Sequence, residues 1–534
     1  MVRILLQQAR RDRITLPIWI LGTVLLLTTA ATAVGSEYGD VTDRAGILAV
    51  ALATPALLAL RGIPNGDSLG SAVHFQSFAF LAVTIGLMNV FLATRHGRGD
   101  EERGRRELVL AAPVSRLAPT AATLVLAVVA NALFAVLAVG GYASAGLDLG
   151  GSALSAAALA VTGLAFLGLT MIAGELTITS RGANGVGVVL VLGAYAFRAA
   201  GDALGRADVT ALTLDPAWPS ALSPIGWGQQ TLAFTADRWW PVAALMALAL
   251  VSVTAALLIH ARRELGEGLV PERSGRERAR AGFGNPVALA WRLQWPALVA
   301  WAGGSALLGL ALGSLVSAVA DPQIANPQIQ AILASLGHTD SREIGRALLI
   351  AVFVMIAAVA GAAGVQAMLR MREEETAGHL EAVLAAPLSR ARWLGAFLLV
   401  AALTAAAVLL ATGAAAALSF GVLGDSDNAW LSLGSAVVAI PAAVSFGAIV
   451  ALVVAVVPQA AIGLGWGIYG LLAGIGMFGG LMGVDERVVQ AISPIANVPA
   501  LPADDWFPTI VVGGVAVAAA VLAVVGFRRR DLTT

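Results

Sequence analysis

The chain has no cysteine and no lysine, and only 12% of its 534 residues are charged. Without cysteine there are no disulfides in its loops and no thiolate metal sites. Without lysine there is no phosphate-cradling G-x-x-x-x-G-K-[ST] loop, because that loop sets its lysine on the terminal phosphates. No polar stretch is long enough for a nucleotide-binding domain either, so the chain is expected not to be an ATP-hydrolysing enzyme. Five histidines are present, His74, His96, His260, His338 and His379, and no two have ligand spacing. No metal site is expected, and a polytopic lipid-modifying enzyme, which needs metal ligands or clustered carboxylates at a span end, is disfavoured. The 33 basic and 33 acidic residues cancel, which says little when the two signs are sorted to opposite sides of a membrane.

What is present is apolar. The chain is 58% hydrophobic with a mean hydropathy of +0.83, a composition that excludes a soluble protein of this size. Apolar runs recur at the length an α-helix needs to cross a hydrocarbon core, about 20 residues. Backbone amides in that core must be satisfied within the segment, so the spans are helices. The fold class is therefore an all-α polytopic membrane protein of about twelve spans. They are expected near 17–35, 73–94, 118–141, 153–179, 184–204 and 239–260, then 296–319, 346–369, 393–423, 431–457, 460–481 and 508–527. The run Ala45–Leu60 meets Arg61-Gly62-Ile63-Pro64 and reads as an external or re-entrant helix, since a span there would invert all that follows.

Arginine placement orients the chain. With the N-terminus inside, 25 of the 33 arginines fall on the cytoplasmic side, the bias that sets membrane topology. Both termini are expected in the cytoplasm of a multi-pass plasma-membrane protein. The basic start and Ala31-Thr32-Ala33 resemble a secretory signal, but twelve spans with a basic tail favour a retained first span.

The chain repeats itself. Glu107–Leu117 (ELVLAAPVSRL) returns 274 positions later as Glu381–Ala391 (EAVLAAPLSRA), with eight of eleven residues matching. Polar loops between spans normally drift, so a copied loop indicates two versions of one unit and a task for the loop. Ser223-Pro224-Ile225 is echoed by Ser493-Pro494-Ile495, and Arg262-Arg263-Glu264-Leu265 by Arg529-Arg530-Asp531-Leu532. The expected organisation is a six-span domain over 1–262, a charged linker over 263–284 and a second six-span domain over 285–534. Each half opens on a short amphipathic stretch, at Ile4–Arg11 and Val287–Leu293, suited to the inner membrane interface.

Each copied loop follows an acidic cluster, Asp100-Glu101-Glu102 or Glu373-Glu374-Glu375. Acids on the first turn of a helix are favoured by its dipole. Pro113 and Pro387 end such a helix one residue earlier, and Ser115 and Ser389 are placed to cap the next span. Each half should thus carry a cytoplasmic helix of about three turns, rigidly joined to its second and third spans. Apolar residues on such a helix call for a protein partner.

With Arg116 and Arg390 closing the motif, these loops resemble the coupling helices of type-2 ATP-binding-cassette exporter permeases. Their pattern is an acidic run, a Gly, an acid, then Leu-Leu-Ala-x-Pro-x-Ser-Arg between the second and third of six spans. Length, fused halves and missing lysine look most like actinobacterial permeases for polyketide antibiotics. The resemblance implies that Asp100, Glu101, Glu107, Pro113, Ser115 and Arg116 meet one ATPase subunit. Glu374, Glu375, Glu381, Pro387, Ser389 and Arg390 would meet a second. ATP and Mg would be bound by those separate subunits, with no cofactor on this chain, and the acids would contact basic or amide groups of the ATPase. The rival reading is a proton-coupled secondary drug exporter of the major facilitator type, whose G-x-x-x-D-R-x-G-R-R loop is loosely mimicked by Gly97–Arg106 in the first half alone.

Polar residues inside spans are the candidates for a substrate path: Glu175 and Arg198 (with Asp202 one turn on) as ionisable groups, and Asn89, Asn131 and Gln366 as amides, which equally serve as interhelix hydrogen-bond partners. A path lined by Ala, Val, Leu and Gly suits a hydrophobic or amphipathic cargo moved out of the cell. The other partner is the lipid bilayer, and no nucleic acid is expected.

Overall fold

The computed structural model describes residues 1–37, 39–264, 266–270, 285–320, 341–385, 388–479, 484–503 and 505–530. Among them are twelve helices long and apolar enough to cross a membrane. In the first half these are Thr15–Ser36, Leu69–Glu102, Ala118–Ser144, Leu149–Leu176, Ser180–Ala203 and Trp240–Arg262. In the second they are Pro286–Gly313, Gly345–Thr376, Arg390–Val422, Ser426–Val456, Pro458–Met477 and Phe507–Arg529. By backbone contacts the chain divides into two compact units, Met1–Gly275 and Arg276–Thr534. The end of the expected linker, 271–284, lies outside the described residues, as do Asp504 and Asp531-Leu532.

In the first unit the second and fourth spans form the core, each 72% buried over its apolar window, while the first, fifth and sixth present most of their surface outward. Small residues let the core helices approach closely. A Cβ added at Gly163 of the fourth span would stand 2.5 Å from Asn89 Nδ2 and 2.8 Å from Asn131 Oδ1. Behind that notch the two amides bond reciprocally: Asn89 Nδ2 donates to Asn131 Oδ1 at 3.1 Å, and Asn131 Nδ2 to Asn89 Oδ1 at 2.9 Å. Each spends its second N–H on its own helix, on Ile85 O and Ala127 O. The pair holds the second and third spans in register. In the second unit the second and fourth spans are again the most buried, and the third crosses the long first helix.

Ala45–Leu60 does not span. It forms two short helices, Val41–Ala53 and Pro55–Arg61, broken at Thr54. The last carbonyls of the second are capped from the fifth span: Arg198 donates to Ala59 O at 2.6 Å and Tyr195 to Leu60 O at 2.6 Å. Arg198 is fully buried and pairs with Asp202 at 3.2 Å, which in turn accepts from Ser220 Oγ at 3.1 Å. A two-stranded hairpin, Arg206–Asp208 with Thr213–Asp215, follows at that end.

The two amphipathic stretches take different forms. Val2–Arg11 is a separate helix, docked on the third span through Gln8 Nε2, which donates to Pro119 O and Thr123 Oγ1. The chain turns at Asp12–Ile14 before the first span starts. In the second unit, Pro286–Ala320 is one helix with Pro296 inside it. No acid or turn residue interrupts 290–300, and a proline alone removes one backbone hydrogen bond without ending a helix that neighbours support.

Asp12 anchors the first helix: Arg95 donates to it, and His96 Nε2 meets its Oδ2 at 2.5 Å. Burial by itself would raise the Asp12 carboxyl, but the hydrogen bond and charge of His96, with Arg95 behind, hold it below the ordinary aspartate value. A folded-state pKa below the unfolded one contributes stability above the ordinary range, and that stability is lost as pH falls through the depressed value. A spin label on a cysteine placed at the exposed Leu6 should therefore stay restrained down to about pH 4 and become mobile only below it. In Asp12→Asn the label should be mobile at neutral pH.

Candidate functional site

Each copied loop leaves the second span, breaks at a glycine, makes a short helix and rejoins the third span. The short helices are Arg105–Leu110 and His379–Leu384, and each starts after a glycine in the left-handed region, Gly104 at φ 66° and Gly378 at φ 76°. No atom lies within 4 Å of an added Cβ at either position, so the glycines serve the backbone conformation and not packing. They replace the expected three-turn helix by a break and a six-residue helix. In the first unit the acids lie on the preceding turn, Arg98–Glu102; in the second they lie on the span itself, which runs on to Thr376. The helix Arg105–Leu110 ends three residues before Pro113, which is exposed; Pro387 lies outside the described residues.

The four acids at repeat-equivalent positions of the two copies, Asp100 with Glu374 and Glu101 with Glu375, face inward. Asp100 accepts both Arg11 N–H bonds at 2.9 and 2.8 Å and stands 3.5 Å from Arg105. Glu101, 3% exposed, takes Arg98 at 2.6 Å, Arg106 at 3.0 Å and Arg263 at 2.8 and 2.9 Å. In the second unit Glu374 pairs with Arg370 and with His379 at 2.8 Å, and Glu375 with Arg372 at 2.9 Å and with Arg530. A carboxylate withdrawn from water is costly unless it is paired and hydrogen-bonded. These acids are met within the chain, by its own arginines and by His379, where the resemblance implied contacts with an ATPase.

Three of the pairings repeat at equivalent positions. Arg98–Glu101 corresponds to Arg372–Glu375, Arg105–Asp100 to His379–Glu374, and Arg263–Glu101 to Arg530–Glu375. Arg116 and Arg390 complete the set, each donating to a backbone carbonyl of the arginine after the last span: Arg116 to Arg263 O, and Arg390 to Arg530 O at 2.6 Å. That arginine also reaches the fourth span, where Arg263 Nε donates to Glu175 Oε2 at 2.6 Å and Arg530 to Val454 O at 2.8 Å. The two sequence echoes, loop and tail, are the two sides of one clasp. For Arg263, burial alone would lower the guanidinium pKa, but the hydrogen bond and charge of Glu101, with Glu175, raise it.

The first clasp has an extension that the second lacks. Arg106 is buried and donates to Thr120 Oγ1 at 2.7 Å and to His260 Nε2 at 2.8 Å. An arginine offers no lone pair, so Nε2 must be the acceptor; Nδ1 then carries the proton and donates to Glu175 Oε1 at 3.0 Å. Repeat-equivalent positions hold Leu380 and Phe527, both buried apolar residues.

What remains on the outside is small. Glu107 and Glu381 sit exposed on the first turn of each short helix, with no ion-pair partner among the described residues. Leu108 is 77% exposed. Ser115 does not cap the third span: its Oγ accepts Leu117 N–H at 3.4 Å, and the helix starts uncapped after Leu117. Ser389 does cap the matching span, accepting from Arg392 N–H at 3.3 Å.

The path candidates are all engaged within their own unit. Asn89 and Asn131 saturate each other, Arg198 caps the short outer helix, and Glu175 belongs to the clasp. Gln366 accepts from Trp301 Nε1 at 2.7 Å, joining the first two spans of its unit. Polarity in a span identified residues that hold helices together. The residues that sequence reasoning passed over are Arg98, Arg106, Arg263, Arg372 and Arg530; for Arg263 and Arg530 the echoed tail was the available signal.

These features define a polytopic helical membrane protein of two six-span units, each with a clasped loop at the same place. Residues 283–528 match the family model described as the C-terminal domain of the multidrug efflux system permease Rv1217c. Over 98% of its length, and 93% of the relative's, the chain is 31% identical to the multidrug efflux system permease protein Rv1217c of Mycobacterium tuberculosis. The chain belongs to this permease family.

Glu101→Gln leaves Arg98, Arg106 and Arg263 without their shared counter-charge, which should cost about 3–5 kcal/mol, the usual result of breaking a buried pair from one side. Glu107→Gln, at an exposed position, should change stability by less than about 0.5 kcal/mol. Thermal unfolding of the purified permease without partners separates the two.

Proposed function

We propose that the chain is the permease subunit of an ATP-binding-cassette exporter that moves hydrophobic or amphipathic, drug-like compounds out of the cell. The observation that carries this reading is the duplicated loop: one left-handed glycine, one short helix with an exposed acid, and one clasp in each unit. A docking feature present twice in one chain calls for two copies of a separate ATPase. The relative's description as a multidrug efflux system permease supports the transport role and the class of cargo. The chain has no lysine for a phosphate loop, so ATP and Mg belong to the partner subunits. With arginines biased to the clasp side, both termini and both loops face the cytoplasm of a plasma-membrane protein.

Within this reading the docking face is narrower than the loop motif. Glu107 and Glu381, with Leu108 and the turn at Ala111–Pro113, are the parts left free to meet another protein. The buried acids set the shape of the loop from behind.

An ATPase with a lysine-containing phosphate loop should co-purify at two copies per permease, and the permease alone should show no hydrolysis. Hydrolysis by the permease alone, or a one-to-one complex, would contradict the reading. Transport in sealed vesicles should require ATP and survive collapse of the proton gradient; loss of transport on adding an uncoupler at constant ATP would favour a secondary transporter. Reversing an exposed acid removes at most one charge-assisted contact, worth about 1.5–3 kcal/mol. Glu107→Arg with Glu381→Arg should therefore leave the permease inserted and stable, yet abolish substrate-stimulated hydrolysis and recovery of the complex. Normal export by that double variant would show the loops to be solvated hairpins.

A further inference from the structure

We infer that Arg263 and Arg530 are positioning residues that make the sixth span of each unit move with its loop, so that a push on the loop reaches beyond the two spans covalently joined to it. The inference rests on the proposed docking of an ATPase at these loops. Covalently, each loop is joined to its second and third spans only. The clasp adds a non-covalent third member: Arg263 follows the sixth span of the first unit directly, and Arg530 lies one residue past the end of the corresponding helix.

Each of these arginines holds the loop from two sides. Its guanidinium takes the carboxylate where the second span gives way to the loop, Glu101 or Glu375, and its carbonyl takes the arginine where the loop meets the third span, Arg116 or Arg390. A single contact could pivot; two contacts on opposite faces of one residue resist both separation and rotation. The same residue grips the end of the fourth span, through Glu175 or Val454 O, so the loop and the ends of the fourth and sixth spans form one body. Solvent does not weaken the link, because the Arg263 and Glu101 side chains are each 3% exposed and those of Arg530 and Glu375 are 10% and 5% exposed. Arg-to-carboxylate pairs of this kind are stronger than neutral hydrogen bonds and directional. The arrangement occurs twice with the same repeat-equivalent residues, although Arg106 and His260 of one unit give way to Leu380 and Phe527 in the other. What both units keep is the link from loop to sixth span.

The absence of native cysteine makes the test direct. Cysteines at the exposed loop residue Arg103 and at Leu258 in one experiment, and at its repeat equivalent Ala377 and Val525 in another, lie off the docking face and report the distance from loop to sixth span by paired spin labels. The measurement is made on the permease–ATPase complex in lipid nanodiscs, without nucleotide and then trapped with ATP and vanadate. We expect each distance to be narrow and the same in both states in the otherwise native complex, and to broaden or shift on trapping in Arg263→Gln or Arg530→Gln. Export per ATP hydrolysed should fall at least about tenfold in those variants, the smallest effect expected of losing a charge-assisted contact, while basal hydrolysis and complex recovery persist. Arg263→Lys and Arg530→Lys should restore part of the ratio. Loss of folded protein lowers export and hydrolysis together and leaves their ratio unchanged, so the ratio reports coupling. If Arg263→Gln does not fold, the less enclosed Arg530→Gln decides.

A native complex whose loop-to-span distance changes on trapping would overturn the inference, as would Gln variants that keep the native ratio. Failure of the native permease to recover any ATPase would sink the docking proposal and this inference with it, and that result is distinct from a native complex with indifferent arginines.

Discussion

A carboxylate held away from water at the edge of a membrane is the constraint around which each unit is arranged. Glu101 and Glu375 have almost no solvent of their own, so their charge must be met by fixed donors. Neighbours one turn away, Arg98 and Arg372, supply only part of that coordination. Arg106 adds to it in the first unit, and in both units the far end contributes, where the last span delivers Arg263 or Arg530. Satisfying one buried charge therefore brings together the loop, the fourth span and the sixth, and leaves a small exposed acid-bearing helix as the outward face.

The spans were legible because hydropathy and length are local signals. The third was expected at 118–141 and runs Ala118–Ser144; the sixth was expected at 239–260 and runs Trp240–Arg262. The second runs longer at both ends, since Ser68 caps it below the first apolar residue and His96 and Arg95 extend it into the clasp. The loop was legible as a repeat, but its shape was not. A glycine between charged residues carries no local signal that stops a helix, whereas Gly104 and Gly378 take a left-handed conformation that ends one. Ser115 matched a cap by type and failed by position, with Leu117 standing between it and the helix.

Tertiary pairing was the least legible. Arg263 and Glu101 lie 162 positions apart, and Arg530 and Glu375 lie 155 apart; nothing in the local pattern of either end names the other. The echoed tail and the echoed loop were each visible as repeats, and only the fold shows that they repeat because they meet. The same holds for Asn89 and Asn131, which as sequence are two lone amides and as structure are one saturated pair. The units also differ where the repeat predicts likeness. The first adds a chain of Arg106, His260 and Glu175 behind its clasp, while the second fills the corresponding places with Leu380 and Phe527 and so needs no further polar partners.

The clasp also sets an order on biosynthesis. A ribosome releases Glu101 long before Arg263, so while the later spans are still being inserted the loop carries a carboxylate that only its near neighbours Arg98 and Arg106 can meet. The loop's final seat becomes available only when the sixth span has entered the bilayer and its trailing arginine has cleared the exit tunnel. Completion of a unit is thus recorded in the loop itself: a chain stopped short of its last span would lack the arginine that closes the clasp.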